Sequence, residues 1–146
     1  MNKKINKPNL FIVGAQKSGT TSLKHWLNQH PQIFMHMYFP HEPVFFADDV
    51  DSSYDLRDIN KYLGFFKKAE NEKYLGEKSA VYLYSDEAAR RIKKFNPNAK
   101  IIIVLRNPVD MIFSLYHHLA ADGEENIMDF RKALEAEKQR KIKNKN

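Results

Sequence analysis

The stretch that most constrains this chain is FIVGAQKSGTTSL, residues 11–23. An uninterrupted apolar run breaks at Gly14, and Gly19 follows five residues later. Then come three hydroxyl residues, Thr20, Thr21 and Ser22, and a helical stripe of Leu23, Trp26 and Leu27. A short apolar run without alternation reads as a strand buried on both faces, the habit of parallel sheets. Strand, tight turn and helix in that order commit the chain to an α/β fold.

The same stretch carries chemistry. A helix beginning at Thr20 presents free N–H groups and a partial positive charge to an anion. Gly14 and Gly19 permit close backbone approach. Thr20, Thr21 and Ser22 add hydroxyl donors, and Lys17 adds a full charge. Charge-assisted hydrogen bonds are worth about 1.5–3 kcal/mol each. An ordinary capped turn needs only one such residue, so the combination points to phosphate. An ATP-type loop reads G-x-x-x-x-G-K-[ST]. Here Thr20 holds the lysine position and Lys17 lies between the glycines, which counts against ATP.

The rest of the chain repeats the pattern. Strands are expected over 9–13, 33–37, 73–79 and 100–105, the last (KIIIVL) buried on both faces. Helices are expected over 20–29, 58–68, 85–95, from Pro108 to Gly123, and over 130–139. Ser85 is the expected cap of the third. The predicted architecture is P-loop-like, a three-layer α/β/α sandwich on a mainly parallel sheet, with residues 1–146 forming one domain. Residues 138–146 read as a basic tail. In such sheets ligands bind beyond the carboxyl ends of the strands. Three polar clusters fall there: the loop, Glu77-Lys78-Ser79, and Arg106 with the start of the next helix.

Charge narrows the partner. The formal net charge is +6, which favours an anionic ligand; the tail KQRKIKNKN, with five basic residues and no acid, accounts for part of the excess. No aromatic–basic interleaving marks a specific nucleic-acid module. There are no cysteines, so disulfides and cysteine–metal sites are excluded, in keeping with a cytoplasmic location. No run suits a transmembrane segment, and the apolar run after the N-terminal lysines ends too soon for a signal peptide. His36, His41, His117 and His118 lack acidic partners at metal-like spacing, so no metal site is expected.

Two further segments hold candidates. Arg106 comes directly after the strongest strand, and Ser114 lies eight residues later on the helix that Pro108 opens. An arginine fork and a hydroxyl can hold a second phosphate; pairing of Arg106 with Asp110 is the structural alternative. In FPHEPVFF, 39–46, Glu42 stands between prolines and aromatics. Burial there would raise its basicity, as a general base requires, whereas a turn-capping glutamate is the bland alternative. Glu77-Lys78-Ser79 suits substrate orientation or a structural ion pair equally.

Together these blocks resemble the sulfotransferases that use 3′-phosphoadenosine 5′-phosphosulfate (PAPS). GAQKSGTTSL is similar to their 5′-phosphosulfate loop, and KIIIVLRNPVDMIFSLYHH to their 3′-phosphate motif. HEPVFF and GEKSAVYL resemble blocks of the carbohydrate, heparan sulfate-like branch, and the likeness spans 9–130 in the family's order. The resemblance implies sulfuryl transfer to an acceptor hydroxyl, on a glycan, with PAP as product and no metal. It implies Gln16, Lys17, Ser18, Gly19, Thr20, Thr21 and Ser22 on the 5′ side of the donor, and Arg106 and Ser114 on its 3′-phosphate. It makes Lys17, Glu42 and Lys78 catalytic: Lys17 on the leaving oxygen, Glu42 as base, Lys78 on the acceptor or sulfuryl oxygens. The chain departs at His41, where lysine is common, at Met111, where arginine is common, and in a longer 32–42 segment. The further strand and adenine-covering loop that the family implies are not found after residue 130, so the chain reads as C-terminally short. A non-catalytic nucleotide-binding remnant and a P-loop kinase are the alternatives.

Overall fold

The computed structural model describes residues 6–37, 42–50 and 56–143. Contacts divide the chain into two compact units, Met1–Leu105 and Arg106–Asn146.

The first unit is built on a four-stranded sheet. Its elements are β1 (Leu10–Gly14), α1 (Thr20–Leu27), β2 (Ile33–Met35), α2 (Ile59–Gly64), β3 (Tyr74–Lys78), a 3-10 turn (Ala80–Leu83), α3 (Ala88–Phe95) and β4 (Lys100–Ile103). The strand order is β2-β3-β1-β4, and every pairing is parallel. β1 is central and buried along its whole length. Alternate side chains of a strand leave on opposite faces, and the core obeys that period. Leu10 and Ile12 join Met35 under Leu23 and Leu27 of α1. Phe11 and Val13 join the opposite cluster, with Tyr62 and Phe66 of the α2 region and Ala88 and Ile92 of α3. Helices therefore cover both faces, and the α/β expectation holds.

Several boundaries and one burial expectation need correction. β2 stops at Met35 and α1 at Leu27. α2 is short, capped by the Asp58 carboxylate, which accepts from the Asn60 N–H at 2.7 Å. α3 becomes regular only at Ala88, although the Ser85 hydroxyl does accept from the Glu87 and Ala88 N–H groups at 3.2 and 2.9 Å. β4 is not buried on both faces. It is an edge strand bonded to β1, with Ile101 48% and Ile103 52% exposed. A β-branched run reports strand propensity; it does not report whether the strand is central or at the edge.

The second unit is a pair of helices, α4 (Pro108–Ala121) and α5 (Phe130–Lys143). Asn107 caps α4 by accepting from the Val109 N–H at 2.9 Å, with Pro108 in the first turn as expected. Gly123 takes a left-handed φ of 77° just beyond the end. Phe130 packs edge-on to Phe113 at 5.2 Å. The Arg140 guanidinium grips Glu125 through two bonds of 2.7 and 2.9 Å. α5 runs through Lys143, so much of the predicted basic tail is helical.

Candidate functional site

The loop after β1 is anchored at its root. The Ala15 N–H donates to the Val104 carbonyl at 2.8 Å, and the Val104 N–H to the Gly14 carbonyl at 2.7 Å. Gly14 has φ 143°, and a Cβ there would lie 2.7 Å from the Ala80 oxygen and 2.8 Å from Leu83 Cβ. Only glycine fits. The loop then turns through Lys17 at φ 56° and Gly19 at φ 88° into α1. No side chain caps α1, and its first turn holds no acid. Thr20 is buried, Lys17 and Ser18 are half-buried, and Gln16, Thr21 and Ser22 are exposed. The Ser18 hydroxyl donates to the Gln16 carbonyl at 3.3 Å. A glycine-led turn into an uncapped helix start, with Lys17 in the turn and hydroxyls beside it, fits a phosphate or phosphosulfate group.

β3 ends at the same, carboxyl, end of the sheet. Ile12 pairs with Lys78, and the Ser79 N–H donates to the Ile12 carbonyl at 3.1 Å. The Lys78 ammonium contacts the Glu42 carboxylate, and the other carboxylate oxygen accepts from the Ala80 N–H at 2.5 Å. Glu42 and Lys78, 36 positions apart, are thus brought together where the glycine loop leaves the sheet. The setting of Glu42 differs from the expectation: its partners are a cation and a backbone donor rather than an apolar pocket. The aromatics of HEPVFF serve as anchors instead. Phe45 stacks on Tyr62 at 4.3 Å, and Phe46 packs edge-on to Phe11 at 5.7 Å. Residues 39–41, including His41, lie outside the described residues.

One feature of this region was not singled out in the sequence, and two residues named there stand in settings it did not foresee. Lys24 of α1 belongs to the same electrostatic cluster: burial and the Lys78 ammonium push its pKa down, while Glu42 pulls it up. Helical period reveals it, because Lys24 stands four residues after the buried Thr20, on the same face. His36, stacked on Phe65 at 4.2 Å, is pushed down to about 4 by burial and by Lys24. Glu77 is wholly buried on the side of β3 opposite Lys78, and burial raises its carboxyl to about 7. Its neighbour Lys78 faces the site, whereas Ser79, also fully buried, follows on Glu77's side of the strand.

The second unit carries the remaining candidates. Arg106 is exposed at its start, just before the Asn107 cap, and Ser114 is half-buried within α4. Met111 is half-buried on the same helix.

Comparison with known proteins identifies the class to which this arrangement belongs. Residues 7–143 match the sulfotransferase domain, and the chain belongs to that family. It is 36% identical over 126 residues to human bifunctional heparan sulfate N-deacetylase/N-sulfotransferase 2, a match covering 84% of this chain and 14% of that protein. It is 36% identical over 113 residues to the membrane-associated sulfotransferase kil1 of Dictyostelium discoideum, covering 75% of this chain and 22% of that one. The crystal structure of a sulfotransferase from Alicyclobacillus acidocaldarius superposes with a TM-score of 0.85 at 37% identity, over 95% of this chain and 60% of that one. The chain thus spans a small part of the curated relatives it matches. Among the described residues, no helix is long and apolar enough to cross a membrane.

Proposed function

We propose that this chain moves a sulfuryl group from PAPS to the hydroxyl of an acceptor, a glycan, by in-line displacement with Glu42 as base. The observation that carries the reading is the contact of Glu42 with Lys78 at the carboxyl end of the sheet, where the glycine loop enters α1. The donor supplies a sulfuryl group on a phosphosulfate bond, and PAP is what remains. The loop 16–22 and the start of α1 hold its 5′ side. Lys17 offsets the charge that grows on the leaving phosphate oxygen, a contribution specific to the transition state. Glu42 takes the acceptor's proton as the new oxygen–sulfur bond forms. Lys78 orients Glu42 and offers a donor to the sulfuryl or acceptor oxygens. The resemblance assigns the donor's 3′-phosphate to Arg106 and Ser114. The heparan sulfate relatives favour a carbohydrate acceptor.

Calorimetry with PAP, against ATP plus magnesium, tests the nucleotide. PAP should bind without metal, and Arg106→Ala should weaken it at least about tenfold, the loss of one charge-assisted contact. Tight magnesium-dependent ATP binding without PAP binding would overturn the reading. Glu42→Gln should abolish transfer of labelled sulfate while leaving PAP affinity nearly unchanged. Transfer that survives this substitution removes Glu42 from the mechanism. PAP binding by a wild-type chain with no transfer to any glycan hydroxyl would favour a non-catalytic remnant.

A further inference from the structure

The turn that carries Glu42 is strained, and three residues after β3 hold it. Val44 has φ 48°, a left-handed conformation that a β-branched residue seldom adopts. Such strain persists only where the surroundings over-determine it. The surroundings here are residues 79–82. The Ser79 hydroxyl, fully buried, accepts from the Val44 N–H at 3.1 Å. The Ala80 N–H holds Glu42 itself, at 2.5 Å. The Tyr82 hydroxyl accepts from the Phe46 N–H at 3.3 Å. These three bonds are not equivalent. Phe46 stays in place by burial among aromatic rings, with its ring 5.1 Å from that of Phe95. Val44 is only partly buried; its carbonyl accepts from the Ala47 N–H at 3.2 Å within the turn, and the Ser79 hydroxyl is the side-chain anchor of its N–H.

We propose that Ser79 is a positioning residue for Glu42: its hydroxyl pins the left-handed Val44 turn and so keeps the carboxylate on Lys78 and the Ala80 N–H. This rests on the reading of Glu42 as the base. It assigns the serine after the lysine a role through the backbone of a distant turn, without contact to donor or acceptor. Without the hydroxyl, Val44 relaxes to a right-handed or extended conformation, and Glu42, two residues earlier, swings with it. Glycine at 44 takes the left-handed conformation unaided.

The test has two readouts. The first is the Ala80 amide proton in a heteronuclear spectrum recorded against pH. In the wild type its shift tracks the ionisation of Glu42; in Glu42→Gln that dependence vanishes. In Ser79→Ala it should shrink to less than half, and Val44→Gly added to Ser79→Ala should restore it. The second is turnover. Ser79→Ala should lower kcat about 10- to 100-fold, the scale of a misplaced catalytic group, with donor KM within about twofold. Ser79→Thr, which keeps the hydroxyl, and the Val44→Gly double variant should recover most of it. Should Ser79→Ala fail to fold, Ser79→Cys, a weaker acceptor of similar size, carries the same comparison. An Ala80 titration and a kcat unchanged in Ser79→Ala overturn the proposal, as does a folded double variant that recovers neither. If Glu42→Gln transfers sulfate normally while the spectroscopic pattern holds, the base reading falls and the positioning survives. If Glu42→Gln is inactive and Ser79→Ala is not, only the positioning falls.

Discussion

Replacing Glu77 by glutamine should remove a pH dependence of stability that the fold imposes. Glu77 is 0% exposed, and its carboxyl is raised from 4.5 to about 7. Burial is the main cause; the nearby Glu42 carboxylate adds to it, and the phenols of Tyr82 and Tyr62 oppose it. Those phenols lie near, but neither carboxylate oxygen finds a hydrogen bond of good geometry among the described residues, so burial prevails. The folded chain therefore keeps this proton over a range where the unfolded chain has released it. Between 4.5 and about 7 the native state binds more protons, so stability falls as pH rises and levels off above 7. At about 1.36 kcal/mol per pH unit, that gap corresponds to roughly 3 kcal/mol. His36 acts with the opposite sign between about 4 and 6.5, because its buried ring resists protonation. Both proteins carry His36, so its contribution cancels in the difference. The assay is urea unfolding monitored by far-ultraviolet circular dichroism at pH 5, 6, 7 and 8. With an m-value of about 1–3 kcal/mol per molar urea, the wild-type midpoint should fall by about 1–2 M more than that of Glu77→Gln. Midpoints that run parallel from pH 5 to 8 would refute the reasoning, because they would mean that Glu77 is ionised at no cost in the folded state.

The two loop glycines should respond unequally to alanine. Gly14→Ala meets both a positive φ and contacts under 3 Å, and should cost about 3 kcal/mol or more in unfolding measurements. Gly19→Ala has open space around it and should cost only about 1–2 kcal/mol, from its φ of 88°. Equal losses would mean that the crowding at Gly14 is not real. In the second unit, Arg140 is the main cause holding Glu125 at about 2, with the Ile127 N–H second. Arg140→Met should move the Glu125 titration upward in carbon-detected resonance measurements. The stabilisation lost is the part present above 4.5 and given up as pH falls through about 2. A Glu125 titration that stays in place would show that the arginine is not its partner.

How much of the fold was legible in the sequence depends on the range of the interactions. The loop was legible because its requirements are local. A strand, two glycines, a lysine and hydroxyls lie within 13 residues, and each acts through its own backbone or its neighbour's. The alternation of β1 between two helical layers was legible for the same reason. The edge position of β4 was not, because KIII has the same composition in a central strand as at the border. The ends of α2 and β2 were misjudged where an apolar period continues past the last hydrogen bond of the element.

The site itself divides along the same line. Glu42, Lys78 and Ser79 could each be named from short motifs, but a motif cannot state which of them touch. The sequence left Lys78 open between a structural ion pair and a substrate ligand. Its contact with Glu42 does not choose between them, since an ion pair is compatible with both roles. Glu77 shows the converse. It adjoins Lys78 in a polar triplet, yet the period of the strand sends it into the core while Lys78 faces the site. Read by composition, EKS is a single polar cluster. Read by strand geometry, Glu77 and Ser79 share the buried face and Lys78 takes the other; it is the contacts that distinguish them, the Lys78 ammonium on the Glu42 carboxylate and the Ser79 hydroxyl on the Val44 N–H of its turn.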